Sequence, residues 1–319
     1  MKMAKDEFLV FGLPNQFDLA QEIAQKLKIN LTPVEKTIFA DGEMLLRSSV
    51  TVRNKTAYII CSLHNHISLM ELLLFIDSLK RASAAKIVAI TTYFCYSRQD
   101  RKSSPRESIG AKLIARLLET AGVTKVITFD LHNPSIQGFF EVPVDDLRWV
   151  HSLTKELYNE EAKKKFTIVS PDHGGAVRAR KFAELMTKNI QIAIIDKRRT
   201  KPNASEIQGI LGDVRDRNCI IIDDIIDTGG TIIKAAQYLK KSGAKKIYLA
   251  ATHGIFSRGF TIFDQCDAVD KVLVSDSIPT VKTIESPKLQ IISLRDLAAE
   301  VIKADATSQS ISELYRKQD

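Results

Sequence analysis

Ile220-Ile221-Ile222-Asp223-Asp224-Ile225-Ile226-Asp227-Thr228-Gly229-Gly230-Thr231, followed at once by Ile232-Ile233-Lys234-Ala235-Ala236, reads as strand, turn and helix. The apolar run Cys219 to Ile222 lacks alternation, as expected of a parallel strand covered on both faces. Two carboxylates stand where that strand should end, and in an open α/β sheet ligands bind beyond the carboxyl ends of the strands. Asp227, Thr228, Gly229, Gly230 and Thr231 then supply little bulk, exposed backbone N–H groups and two hydroxyls at a helix N-terminus, a ready anion cradle. A solvated strand end and an ordinary cap would use the same residue types, but three acids, two threonines and two glycines in nine residues exceed a cap's needs. An acidic pair beside an anion cradle suits a sugar phosphate: carboxylates accept from hydroxyls, and the N–H groups and helix dipole hold the phosphate.

Outward from this stretch, helix and strand alternate throughout, as a parallel α/β sheet requires. Helices are expected at Gln16 to Leu27, Ser68 to Ala82, Ala111 to Ala121, Leu153 to Glu161, Gly174 to Met186, Phe256 to Phe263 and Leu294 to Ala304. Strands are expected between them, whereas Pro134 to Trp149 has no clear periodicity. Leu79 to Val88, Leu118 to Ile127 and Leu239 to Tyr248 resemble one another, which suggests two halves on one plan, with a boundary near residues 145 to 151. The expected domains are residues 1–148, on which the C-terminal segment can also pack, and 149–319.

With 319 residues, 45% hydrophobic and 26% charged, the chain has the composition of a soluble two-domain protein. The apolar run Phe8 to Leu13 is too short for a signal sequence and no stretch approaches transmembrane length, so a cytoplasmic location is expected. Cys61, Cys95, Cys219 and Cys266 are scattered, which argues against a disulfide framework or cysteine metal site. The net charge of +8 gathers at Arg98 to Arg106, Arg178 to Lys181 and Lys197 to Lys201, without a long basic stripe interleaved with aromatics. That distribution favours phosphorylated small molecules over nucleic acid or a membrane.

Further constellations sit at other strand ends. Ser170-Pro171-Asp172-His173-Gly174-Gly175 follows a strand and opens a helix, and Asp172 there is a cap or a ligand. Asp196-Lys197-Arg198-Arg199-Thr200-Lys201 reads as a mobile cationic loop able to fold over a polyphosphate. Phe39-Ala40-Asp41-Gly42-Glu43 is a turn between strands; Phe39 could stack on adenine or fill a core, and Arg98 could pair a phosphate or lie on the surface. His132, in Phe129-Asp130-Leu131-His132, reads by itself as a hydrogen-bonded loop residue, because magnesium prefers oxygen.

Asp223 to Thr231 resembles the phosphoribosyl-diphosphate loop shared by type I phosphoribosyltransferases and ribose-phosphate pyrophosphokinases. Phe39 to Glu43, Tyr96 to Lys102, Asp130 to His132, Ser170 to Gly175 and Ile195 to Arg199 extend the resemblance to the pyrophosphokinases, in the same order over nearly the whole chain. The resemblance implies two similar parallel-sheet domains of the phosphoribosyltransferase type. It also implies transfer of the diphosphoryl group of Mg-ATP to the 1-hydroxyl of ribose 5-phosphate, giving phosphoribosyl diphosphate and AMP. It places ribose 5-phosphate on Asp223, Asp224, Asp227, Thr228, Gly229, Gly230 and Thr231, and ATP on Phe39, Asp41, Glu43, Arg98 and Gln99. It puts Mg2+ near His132 and Asp172 and makes Lys197 and Arg199 the catalytic pair. It further implies a homohexamer and an allosteric site for phosphate and ADP, to which Thr51, Arg53, Ser83, Arg106, Ser310 and Ser312 correspond. Departures fall at Cys95, at Ser103-Ser104-Pro105 and at Leu147-Arg148-Trp149. Two other readings compete: a non-catalytic regulatory relative that binds the same ligands, and a phosphoribosyltransferase.

Overall fold

Pairing on both sides explains the unbroken apolar run at Cys219. In a computed structural model that describes residues 8–161, 166–186, 190–201 and 204–312, this run lies in a strand flanked by two parallel neighbours, and Cys219, Ile220, Ile221 and Ile222 are buried. Each such isoleucine contributes about 1.5–3 kcal/mol of burial.

The chain divides into two compact units, residues 1–148 with 294–319, and residues 149–293. The first contains β1 (Phe8–Gly12), α1 (Phe17–Leu27), β2 (Val34–Ile38), β3 (Met44–Ser48), β4 (Thr56–Cys61), α2 (His66–Arg81), β5 (Lys86–Thr91), α3 (Gly110–Ala121), β6 (Lys125–Phe129) and β7 (Val144–Leu147). The second runs α4 (Val150–Glu161), β8 (Phe166–Ser170), α5 (Ala176–Met186), β9 (Gln191–Lys201), β10 (Ala204–Leu211), β11 (Asn218–Ile226), α6 (Gly230–Lys241), β12 (Ile247–Gly254), α7 (Thr261–Asp264), β13 (Lys271–Val274) and β14 (Leu289–Ile291). The last helix, α8 (Arg295–Ala306), belongs to the first unit and packs on α1.

In the first unit a five-stranded parallel sheet has the order β1-β4-β5-β6-β7, and β2 and β3 form a separate antiparallel hairpin. The apolar run from Phe8 forms the edge strand β1. The stretch without periodicity contains β7, an edge strand whose Asp145 pairs with Lys125 at 2.8 Å. Lys125 also meets Asp305 of α8, and Tyr58 on β4 donates to the same carboxylate at 2.8 Å. Desolvation and the adjacent Asp305 raise the Tyr58 phenol well above its ordinary range, so it remains a donor.

In the second unit seven strands run β10-β9-β8-β11-β12-β13-β14, parallel except for β10. Its two ends meet where Trp149 donates its indole N–H to the carbonyl of Ile292 at 3.0 Å. Two expectations need correction here. The cationic stretch from Asp196 is the end of β9 rather than a loop: it pairs with β10 through Arg199↔Ser205 and Lys197↔Ile207. Phe256 to Phe263 is not a helix. Phe256 has φ +49 and Gly259 φ +78, both left-handed, so only Thr261–Asp264 coils, and Phe256, Phe260 and Phe263 instead stack edge to face or tilted at 5.1–5.4 Å.

Candidate active site

From β8 the chain moves one way, to β9 and β10, and from β11 the other way, to β12 and β13. The β8–β11 junction is therefore the switch point of the second sheet, where a crevice opens beyond the strand ends. Pairing with β8 stops at Ile221↔Val169, whereas β11 continues along β12 through Asp223↔Ala251 to Ile226↔Gly254. The two acids thus lie within the strand, four and three residues before the anion turn, rather than at its end. Asp224 is buried and Asp223 partly exposed.

Arg178 of α5 reaches across this junction. Its Nη1 lies 2.7 Å from Asp223 Oδ1 and 3.1 Å from Asp224 Oδ1, and Asp223 Oδ1 also accepts from the Asp224 backbone N–H at 2.9 Å. Burial first, and then the neighbouring Asp224, push the Asp223 carboxyl up to about 7, against the lowering effect of Arg178. Beyond the pair, Gly229 takes φ +78 and α6 begins at Gly230 with no side chain capping it. The first-turn N–H groups of such a helix have no intrahelical acceptor and point outward with the positive end of the dipole. Thr228, Gly230 and Thr231 are exposed around them, and Asp227 is half-buried.

Asp172 behaves as the cap alternative proposed: its Oδ1 accepts from Gly175 N at 3.0 Å, and Ser170 Oγ donates to its carbonyl at 2.6 Å. The next residue, His173, contacts Asp196 Oδ1 through Nε2 at 3.0 Å and so joins this turn to β9. Lys197 and Arg199 follow on β9; their backbone is in the strand, and their side chains lie outside the described residues.

In the first unit Phe39, Asp41 and Glu43 share the β2–β3 turn. Gly42 at φ +92 closes it, Gly42 N–H bonds Phe39 O at 3.0 Å, and Glu43 N–H bonds Asp41 Oδ1 at 3.0 Å. Phe39 is 49% exposed, which removes the core alternative and leaves a ring open to stacking. Lys36 on β2 pairs with the buried Glu71 of α2 and ties this hairpin down. Arg98 and Gln99 are exposed at a cavity of about 400 Å³ formed with His64, His66, Tyr93 and Tyr96, which the hairpin residues do not line. There His64 Nε2 accepts from Asn65 Nδ2 at 2.9 Å and Nδ1 faces Ser62 O at 3.3 Å, a neutral tautomer; burial lowers the His64 pKa.

His132 is exposed on a loop that leaves β6 through Asp130 at φ +44. Three contacts fix that loop: Leu131 N–H to Asp146 Oδ1 at 3.0 Å, Arg148 to Asp130 at 3.2 Å, and Asn133 Nδ2 to Asp100 Oδ2 at 2.6 Å. Arg148 also holds Asp146 at 2.9 Å. Arg178 stands out in the sequence only within a basic cluster, Arg148 only within a departing segment and Asp146 not at all. Arg178 lies in the first turn of α5 and Asp146 and Arg148 at the end of β7, and each has a partner distant in sequence. Of the expected effector residues, Arg53 meets Ser83 at 3.3 Å and Ser310 meets Ser312 at 2.8 Å, while Thr51 and Arg106 are exposed.

No group of three or more His, Cys, Asp or Glu among the described residues could hold a metal ion. His132 belongs to one unit and Asp172 to the other. Taken singly, Asp172 offers a carboxylate oxygen of the kind magnesium prefers, and His132 an imidazole nitrogen that magnesium takes less readily.

Residues 8–122 match the family model for the N-terminal domain of ribose phosphate pyrophosphokinase, and residues 187–316 that for the phosphoribosyl synthetase-associated domain. The ribose-phosphate pyrophosphokinase of Mycoplasmopsis pulmonis is 50% identical over 318 residues, covering 99% of this chain and 98% of that one. That of Mycoplasma pneumoniae is 44% identical, covering 99% and 97%. The crystal structure of phosphoribosylpyrophosphate synthetase from Mycobacterium smegmatis superposes with a TM-score of 0.87 at 35% identity, covering 95% of this chain and 100% of that one.

Proposed function

The chain belongs to the ribose-phosphate pyrophosphokinase family and is an enzyme; from that premise we propose that it transfers the β,γ-diphosphoryl group of ATP to the 1-hydroxyl of ribose 5-phosphate. The products are phosphoribosyl diphosphate, for nucleotide biosynthesis, and AMP, and the reaction runs in the cytoplasm. The observation that carries this reading is the Asp223–Asp224 pair beside the uncapped N-terminus of α6 at the sheet's switch point.

In this reading Asp223 and Asp224 accept from the ribose hydroxyls. The N–H groups of Asp227 to Thr231, with the hydroxyls of Thr228 and Thr231, hold the 5-phosphate. Phe39 stacks on the adenine, and Asp41, Glu43, Arg98 and Gln99 complete the nucleotide contacts. Attack of the sugar oxygen on the β-phosphorus spreads charge over non-bridging oxygens, and Lys197 and Arg199 on β9 stabilise it. Asp172 and His132 would hold Mg2+, which supplies charge neutralisation at the phosphates when bound. The 1-oxygen attacks in line, and its bond to the β-phosphorus forms as the bond from that phosphorus to the α,β-bridging oxygen breaks. AMP leaves and the hydroxyl proton passes to solvent, so no protein nucleophile is needed.

Phosphate and ADP act as effectors at Thr51, Arg53, Ser83, Arg106, Ser310 and Ser312, and the chain assembles as a homohexamer. The test is to incubate the protein with ribose 5-phosphate, ATP and magnesium, with and without phosphate, and to identify the nucleotide formed. AMP in one-to-one yield with phosphoribosyl diphosphate supports the reading. ADP makes the protein an ordinary kinase, and ribose 5-phosphate binding without turnover makes it a regulatory relative.

A further inference from the structure

We propose that Arg178 is a positioning residue for sugar binding: its guanidinium holds the Asp223 and Asp224 carboxylates together as one acceptor edge for the vicinal hydroxyls of a pentose 5-phosphate. The inference rests on the ribose 5-phosphate reading above and assigns a role to a residue outside the anion turn and the cationic strand.

Two carboxylates this close repel, and the low exposure of Asp224, 4% at its side chain, denies it water as compensation. Arg178 answers both with one nitrogen, Nη1, at 2.7 Å from Asp223 and 3.1 Å from Asp224. Its origin matters. Arg178 lies on α5, which follows β8, whereas the acids lie on β11, so this contact clamps the two sides of the switch point where the crevice opens. The described contacts around the pair include Arg178 from α5 and, on β12, Ala251 opposite Asp223 and His253 opposite Ile225, the latter bonded to Ser277 at 2.9 Å.

Without the cation, the pair would keep a proton to higher pH, as burial and mutual repulsion already push Asp223 upward. A protonated carboxyl donates where the sugar needs an acceptor. Arg178 therefore sets the pH at which the pair accepts, as well as its shape. Glutamine at 178 would keep much of the length and lose the charge, and lysine would keep the charge and lose the planar fork.

The test compares wild type, Arg178→Gln and Arg178→Lys as full chains, by kcat and KM for each substrate from pH 6 to 9 and by calorimetric binding of ribose 5-phosphate. Arg178→Gln is expected to raise KM for ribose 5-phosphate by about tenfold or more while leaving KM for ATP within about twofold. The acidic limb of kcat/KM for the sugar should move up by about one pH unit or more, since an opposite charge at this range lowers a carboxyl by about 1–3 units. Arg178→Lys should restore the limb. Should Arg178→Gln fail to fold, Arg178→Met, also neutral and of similar length, takes its place in the same comparison with Arg178→Lys. An unmoved limb, or equal losses for sugar and ATP, overturns the proposal and leaves the ribose 5-phosphate reading standing. A wild-type chain that does not bind ribose 5-phosphate overturns the reading itself, and the proposal with it.

Discussion

Gly229 sits against the ring tip of Phe263: a Cβ on the glycine would lie 2.5 Å from Phe263 Cζ and 2.8 Å from Ile262 Cδ1. The anion turn therefore rests on the aromatic cluster of Phe256, Phe260 and Phe263. Gly229→Ala must carry a left-handed φ of +78 as well as this overlap. The backbone alone costs about 1–2 kcal/mol. Because the first N–H groups of α6 shift with the turn, ribose 5-phosphate affinity should fall further than stability does; urea denaturation and calorimetry on the same variant separate the two.

Lys197→Ala should lower kcat by about 10²- to 10³-fold with little change in KM for ribose 5-phosphate, because a cation aimed at transition-state charge contributes little to the ground state. Steady-state kinetics decides it. Near-normal turnover would remove Lys197 from the mechanism.

Asp223 gives stability a pH dependence. Its folded pKa of about 7 lies above the ordinary 3.8, so the folded chain binds this proton more tightly than the unfolded chain. The contribution is full below about 3.8 and is lost as pH rises through about 7. Asp223→Asn should flatten the stability curve between those values and be more stable than wild type at pH 8, while binding ribose 5-phosphate less well. Melting temperatures across pH 4 to 8 would reveal a curve unchanged by the substitution if another group controls it.

Asp305→Asn should weaken the first unit alone. Asp305 accepts from Tyr58 and pairs with Lys125, and losing a hydrogen bond to a charged group costs about 1.5–3 kcal/mol. The chain's one tryptophan, Trp149, lies in the second unit and reports on it separately. In urea the circular-dichroism transition should move to lower concentration while the tryptophan fluorescence transition stays in place. A shift of both together would contradict the assignment of α8.

Trp149→Phe strands the Ile292 carbonyl that the buried indole satisfies, at a cost of about 1–3 kcal/mol. The second unit should lose its closure first, so amides of β14 should exchange faster while those of β4 and β5 do not. Hydrogen exchange by mass spectrometry measures both in one experiment.

The alternation of helices and strands was legible because apolar runs such as Ala57 to Cys61 are buried on both faces and have no competing reading. The anion turn was legible for the opposite reason: its residues make no sense as core. What escaped notice was written in pairs distant in sequence. Asp223 and Asp130 stand out in the sequence, but their partners Arg178 and Arg148 are unremarkable charges until the fold brings each pair together. Where backbone geometry overrode composition, as with the left-handed Phe256, a helical pattern misled. The cationic strand misled too, because charge density reads as a loop while cross-strand pairing depends on a partner, β10, whose own apolar signal covers only its last residues.

α8 completes the first unit but is separated from it by the whole of the second. During synthesis, α1 emerges with the surface that α8 will cover, including Lys26, which pairs with Asp296 at 3.3 Å. At about 5–20 residues per second that partner arrives about 13 to 54 seconds later. The usual order of assembly is thereby reversed: the later-made unit has all its strands while the earlier one still waits for a helix. In the interval the flank of α1 that α8 covers stays open to water, and the first unit closes only when α8 reaches it.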